Sequence, residues 1–194
     1  RKNRFTFGGV PVPTPIEPGP QVRDNVDLSE IRKHIDWTFF FHSWGITGRY
    51  PDIFKHPEKG EEAKKLYDDA QKLLDKIIEE KLLKAQAVWG FFPANSEGDD
   101  VVIWEDENRR NEKYRFAFLR NQQEKKDGKA NRCLADYIYS ADSGTTDYLG
   151  VFTVTAGVGA AEAEQAFRDQ NDDYSAFMLR ILADRLAEAL SEYL

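Results

Sequence analysis

Residues 60–83 constrain the fold more than any other stretch of the chain. Ala63, Leu66, Tyr67, Ala70, Leu73, Leu74, Ile77, Ile78 and Leu82 recur at spacings of three and four, and charges fill the remaining faces. That is the pattern of one long helix with a single apolar side. A stripe of that length has to be covered by another layer, and a sheet is the expected one. The chain supplies candidates directly afterwards: "AVWGFF" at 87–92, "VVIW" at 101–104, "YRFAF" at 114–118, "LADYIY" at 134–139 and "YLGVFTVT" at 148–155. The connections "PANSEGDD" and "EDENRRNEK" are polar, turn-rich and short enough for hairpins, so an antiparallel meander is expected. The next connection is longer and has room for a short helix at "LRNQQEK".

The helical period returns after "TAGVGA". Residues 160–169 read as a short acidic helix and 172–194 as a long one. In the latter Tyr174, Phe177, Met178, Ile181, Leu182, Leu186, Ala189, Leu190 and Tyr193 share a stripe. Ahead of all this, "DLSEIRKHIDW" opens with Asp27 as a cap and Glu30 placed to complete a capping box. The aromatic run "WTFFFHSWGITGRYPDIF" follows, and burial of its rings makes it core. The expected class is α+β, an antiparallel sheet flanked by long helices.

Residues 8–20 carry five of the eight prolines and three glycines. Such a segment suits neither a helix nor a sheet interior. Residues 1–26 are therefore expected to form an extended arm or linker, with Phe5, Phe7, Val10 and Val12 available to anchor it, and residues 27–194 to form the domain.

Composition closes several routes. Lys and Arg number 27 against 34 Asp and Glu, a net charge of −7. Nucleic-acid binding, which depends on displacing counterions with a basic surface, is not expected. Cys133 is the only cysteine, and His34, His42 and His56 are the only histidines. No internal disulfide can form, and no metal site has ligand spacing. The opening "RKNRFTFGGV" lacks the apolar run of a signal peptide, and no stretch approaches the roughly 18 apolar residues of a membrane span. A cytoplasmic protein without membrane contact is expected.

Single residues give little by themselves. Gly157 and Gly159 form a G-x-G between strand and helix, but Glu162 stands where a dinucleotide loop needs its third glycine, so a strand-to-helix turn is expected. His42 reads as a packed or surface histidine, and Cys133 as a buried inert thiol. Asp36 lies between Ile35 and Trp37, where an acid must be paired, hydrated or used. Glu188 has Ala187 and Ala189 beside it, which leaves room for an approaching group. Spacing alone favours helix-surface charges for both. No nucleophile and base stand in a catalytic arrangement, and no catalytic residue is assigned.

Six blocks change this picture: "IDWTFFFHSWGITGRYP", "FFPANSEGDDVVIW", "LRNQQ", "CLADYI", "DYLGVFTVTAG" and "DDYSAFMLRILADRLAEALSEYL". In this order they resemble the activation domain of cobalamin-dependent methionine synthase, from about residue 27 to residue 194. The resemblance implies a twisted antiparallel sheet flanked by helices, C-shaped in outline. It implies S-adenosylmethionine as ligand, with Asp36 of the "DWT" block and Glu188 of "DRLAEA" as contacting acids.

The implied function is reductive remethylation of cob(II)alamin in methionine biosynthesis, as part of a methyltransferase. Cobalamin would be carried by a separate module, and a flavodoxin-type partner would donate the electron. The family's pattern continues into a segment of the form Arg-Pro-Ala-x-Gly-Tyr-Pro-Ala-Cys-Pro, which these 194 residues lack, roughly the last third of the domain. If it stands by itself, the chain is therefore expected to bind the ligand weakly or not at all, to be inactive alone, and to aggregate, associate with further copies through the uncovered face or need a second polypeptide to complete it. The alternative expectation is a portion of a longer enzyme. The competing expectation is a docking protein that keeps the scaffold and contacts a cobalamin-binding partner without binding S-adenosylmethionine.

Overall fold

The computed structural model describes residues 11–125 and 128–194. The anchors Phe5, Phe7 and Val10 lie outside the described residues. Two compact units divide the chain: one takes the residues up to Gln21 and Trp89–Phe152, the other Val22–Val88 and Thr153–Leu194.

The first unit is organised by strand β2 (Lys84–Glu97) from Trp89 onward, β3 (Asp100–Trp104) and β4 (Glu112–Ala117). They form the antiparallel meander that the hairpin connections predict. Ala94 pairs with Ile103 and Glu97 with Asp100, while Val101 pairs with Phe116 and Ile103 with Tyr114. Strands β1 (Gly19–Val26) and β5 (Asp147–Val158), which like β2 have residues in both units, also pair with β2. Strand β1 thus lies inside the stretch expected to be an arm. Further upstream, Val12–Glu17 line a hollow of about 660 Å3 together with Trp89, Phe91 and Tyr148. The core of this unit gathers Ala94, Val101, Ile103, Cys133 and Ala135, with Phe92, Phe116 and Phe118 packed against it.

Two expectations fail here, for local reasons. Residues 134–139 are not a strand: Leu134–Tyr137 form a 3-10 helix. The carboxylate of Asp136 accepts from the N–H of Cys133 at 2.9 Å, which curls the chain into a turn despite its apolar residues. Residues 119–125 are irregular, not helical. There the Asn121 side chain accepts from the Gln123 N–H at 2.7 Å and the Gln122 side chain donates to the Arg120 carbonyl at 2.7 Å. Side chains of this kind compete with a helix for its backbone partners.

The second unit carries helices α1 (Leu28–Ile31), α2 (Trp37–Ser43), α3 (Gly60–Glu79), α4 (Ala160–Asp169) and α5 (Asp173–Tyr193). The fold is α+β, as the sequence pattern predicts. Helix α3 buries Ala63, Leu66, Ala70, Leu73, Leu74 and Ile77, and packs on α5. It stops earlier than its stripe suggests. Lys81 turns left-handed at φ 55°, and the Leu82 N–H closes on the Ile77 carbonyl at 3.0 Å, a closure typical of helix C-termini.

Side-chain oxygens cap the helices that hold the aromatic core. Asp27 accepts from Ser29 N at 2.8 Å and Asp172 from Ser175 N at 2.9 Å. Those N–H groups hold both carboxyls below their ordinary range. The expected capping box at α1 is replaced by a simple cap: Asp27 takes the N–H of Ser29 rather than that of Glu30, and the Glu30 side chain pairs with Lys33 at 2.9 Å. Along α5, Met178, Ile181, Leu182, Leu186, Ala189 and Leu190 are buried, whereas Tyr174 and Phe177 stay half exposed against Trp44.

Of the two glycines in "TAGVGA", Gly157 lies in β5 and Gly159 makes the turn into α4. Gly159 opens α4 at φ 93°, and a Cβ there would stand 2.6 Å from the Leu82 carbonyl oxygen. A backbone carbonyl cannot give way as a flexible side chain can. Gly159→Ala is expected to destabilise the protein by about 2 kcal/mol, read as a lower denaturation midpoint in urea at unchanged slope.

Candidate functional site

The two acids singled out by the sequence both fall in the second unit, on helices that touch. Asp36 caps α2: its carboxylate accepts from the Thr38 N–H at 2.9 Å. The rest of the "DWT" block serves the same end. Trp37 is buried, with its ring 5.2 Å from Phe40 and 4.7 Å from Tyr67. The Thr38 hydroxyl accepts from the Tyr50 N–H at 3.2 Å and holds the following loop. Asp36 itself is exposed, at the mouth of the helix rather than within the core.

Glu188 lies near the C-terminal end of α5, its side chain 49% exposed, and pairs with Arg185 one turn earlier. Helix α5 packs along α1, α2 and the 3-10 turn at Arg32–His34. Towards its end, Tyr193 meets the His34 ring edge-on at 5.7 Å.

Arg185 joins the two acids' surroundings. Its guanidinium carbon stands 5.9 Å from the centre of the Phe39 ring, a cation over an aromatic face. Phe39 is 50% exposed, and it follows Asp36 by three residues, so the two share a side of α2. The contacts His34–Tyr193, Phe39–Arg185 and Trp44–Phe177 run α2 and α5 antiparallel, so Asp36 at the start of α2 and Glu188 near the end of α5 lie towards the same end of the seam, with the Phe39 ring and the Arg185 guanidinium one turn further along. Two carboxylates near an exposed ring can receive a ligand that carries positive charge and an apolar body.

Sequence reasoning missed Arg185 and Phe39. The usable signal was helical spacing, since Arg185 precedes Glu188 by three residues as Asp36 precedes Phe39. Their meeting across more than a hundred residues had none. The remaining candidates stay plain. His42 is exposed and edge-on to Phe39 at 5.8 Å. Cys133 is buried, and its thiol donates to the Asp99 carbonyl at 3.5 Å. Among the described residues no three His, Cys, Asp or Glu side chains cluster to hold a metal ion, and no helix is long and apolar enough to cross a membrane.

Comparison with known proteins bears on the chain as a whole. Residues 27–194 match the family described as vitamin B12 dependent methionine synthase, activation domain. Among solved structures, the crystal structure of the MetH reactivation domain bound to AdoHcy superposes with a TM-score of 0.92 at 41% sequence identity. The match covers 99% of this chain and 58% of that one, so the chain spans a little over half the length of the structure it resembles.

Proposed function

The chain belongs to the family of vitamin B12 dependent methionine synthase activation domains, and we propose that it binds S-adenosylmethionine through Asp36 and Glu188 to support reactivation of such an enzyme. The seam between α2 and α5 supports this reading. S-adenosylmethionine carries a sulfonium and an ammonium, both positive, and a ribose with two hydroxyls. Two carboxylates beside an exposed ring suit that combination. One can pair with a cation while the other pairs with the second or accepts from the ribose.

The domain's contribution is positioning. Held at the seam, the ligand's methyl group is presented at a fixed place, which turns an encounter between two molecules into a local event. Cobalamin supplies the metal chemistry in enzymes of this kind, and we assign it to a separate module that this domain contacts. A flavodoxin-type protein is the proposed electron donor for the reductive remethylation.

Calorimetric titration of S-adenosylmethionine into the whole polypeptide that carries this sequence tests the reading. Asp36→Asn keeps an oxygen to cap α2 and removes only the charge, so its effect reports on the ligand. Glu188→Gln removes the charge at α5 and keeps an oxygen that can accept from Arg185. Each is expected to weaken binding about ten- to a hundredfold, the worth of one charge-assisted hydrogen bond, and the pair to abolish it. Affinity unchanged in the double variant overturns the assignment. Capture of a cobalamin-carrying partner by a protein that takes up no S-adenosylmethionine would instead support a docking role.

A further inference from the structure

Arg185 is a strange neighbour for a carboxylate that has to receive a cation. Its guanidinium pairs with Glu188. It thereby occupies the acid with the same sign of charge that the ligand would bring. The side chain is 19% exposed, against 49% for Glu188, so the pair sits with its cation towards the protein and its anion towards solvent. The Nε of Arg185 is buried, with no hydrogen-bond partner among the described residues. Packing on Phe39 and a single ion pair hold the group in place, and no buried hydrogen bond from Nε adds to them.

We infer that Arg185 is a positioning residue that sets the charge preference of the seam. It steers the Glu188 carboxylate while cancelling part of the negative charge of Asp36 and Glu188. Two acids alone would strongly favour a ligand with a positive sulfonium over the same ligand with a neutral sulfur. Two acids and one guanidinium favour it less. S-adenosylmethionine and AdoHcy differ by one methyl group and one positive charge at sulfur, so they differ in the property that Arg185 tempers. A seam so balanced accepts the sulfonium before methyl transfer and the neutral thioether after it with similar affinity. The inference rests on the reading of Asp36 and Glu188 as ligand contacts.

The test compares the affinities of the two ligands in the whole polypeptide, wild type against Arg185→Met and Arg185→Lys. Methionine keeps an apolar stem to cover Phe39 and removes the charge. Lysine keeps the charge and loses the planar fork. Arg185→Met is expected to shift the ratio of affinities towards S-adenosylmethionine by about three- to tenfold, the scale of one removed unit charge near a second in a solvent-lined site. Arg185→Lys is expected to restore the wild-type ratio. A purely structural role would weaken both ligands together and leave the ratio alone. Should the methionine variant fail to fold, Arg185→Gln gives the same comparison.

A ratio unchanged within twofold, with both ligands bound, overturns the role of Arg185 and leaves the site reading intact. Wild-type protein that binds neither ligand overturns the site reading and this inference with it.

Discussion

Arg120→Met is expected to cost about 3–5 kcal/mol of stability, the largest loss foreseen for any charged residue in the first unit. The side chain is 10% exposed and its donors are all engaged. Nη1 donates to Asp136 and to the Asn131 carbonyl, each at 2.7 Å. Nη2 donates to Asp136 at 2.7 Å and to Asp99 at 2.9 Å, and Nε to Asp99 at 3.2 Å. Asp136 is itself only 5% exposed. Removing the guanidinium strips two short bonds from a carboxylate that water does not reach freely, and such a loss exceeds the modest net value of the pair when intact.

The clamp also sets the shape of the loop. Asp136 holds the Cys133 N–H, and the Asn131 carbonyl is drawn to the same cation. Arg120→Lys keeps the charge but cannot fork between two carboxylates, so it should recover only part of the loss. Urea denaturation followed by fluorescence gives both values. A loss below about 1 kcal/mol for Arg120→Met would mean that the network is hydrated and adds little, as exposed ion pairs do.

This clamp marks the boundary of what the sequence makes legible. Helices α3, α4 and α5 and the β2–β4 meander follow from hydrophobic period and turn chemistry, because each is decided by residues close in the chain. Residues 134–139 have the composition of a strand, yet a contact from Arg120 and a turn at Cys133 decide their conformation, and neither shows in a local window. Strand β1 hides behind Pro18 and Pro20, since an edge position tolerates residues that a sheet interior does not.

The candidate site divides in the same way. Spacing favours surface charges for Asp36 and Glu188, and both are indeed exposed; their neighbours draw attention to them, but only the resemblance in the "DWT" and "DRLAEA" blocks implies a ligand. Arg185 over Phe39 is a tertiary contact with no local signature at all.

Phe40→Ala is expected to lower stability by about 3–5 kcal/mol and to weaken S-adenosylmethionine binding with it. Phe40 is fully buried, its ring centre 5.2 Å from Trp37, 5.5 Å from Phe41 and 6.5 Å from Trp44. Truncation loses the transfer free energy of a large ring and leaves a cavity whose aromatic walls are too stiff to close it. Phe39, the next residue back, faces the other way and is half exposed, so Phe39→Ala should cost far less stability while removing the surface on which Arg185 rests. The pair separates two roles along one short helix. If α2 is a rigid mount for Asp36, Phe40→Ala shifts the cap and lowers affinity even under conditions where the protein is still folded. Should Phe40→Ala lower the denaturation midpoint but leave affinity unchanged in the folded protein, α2 supplies stability alone and the proposed ligand is positioned by other elements.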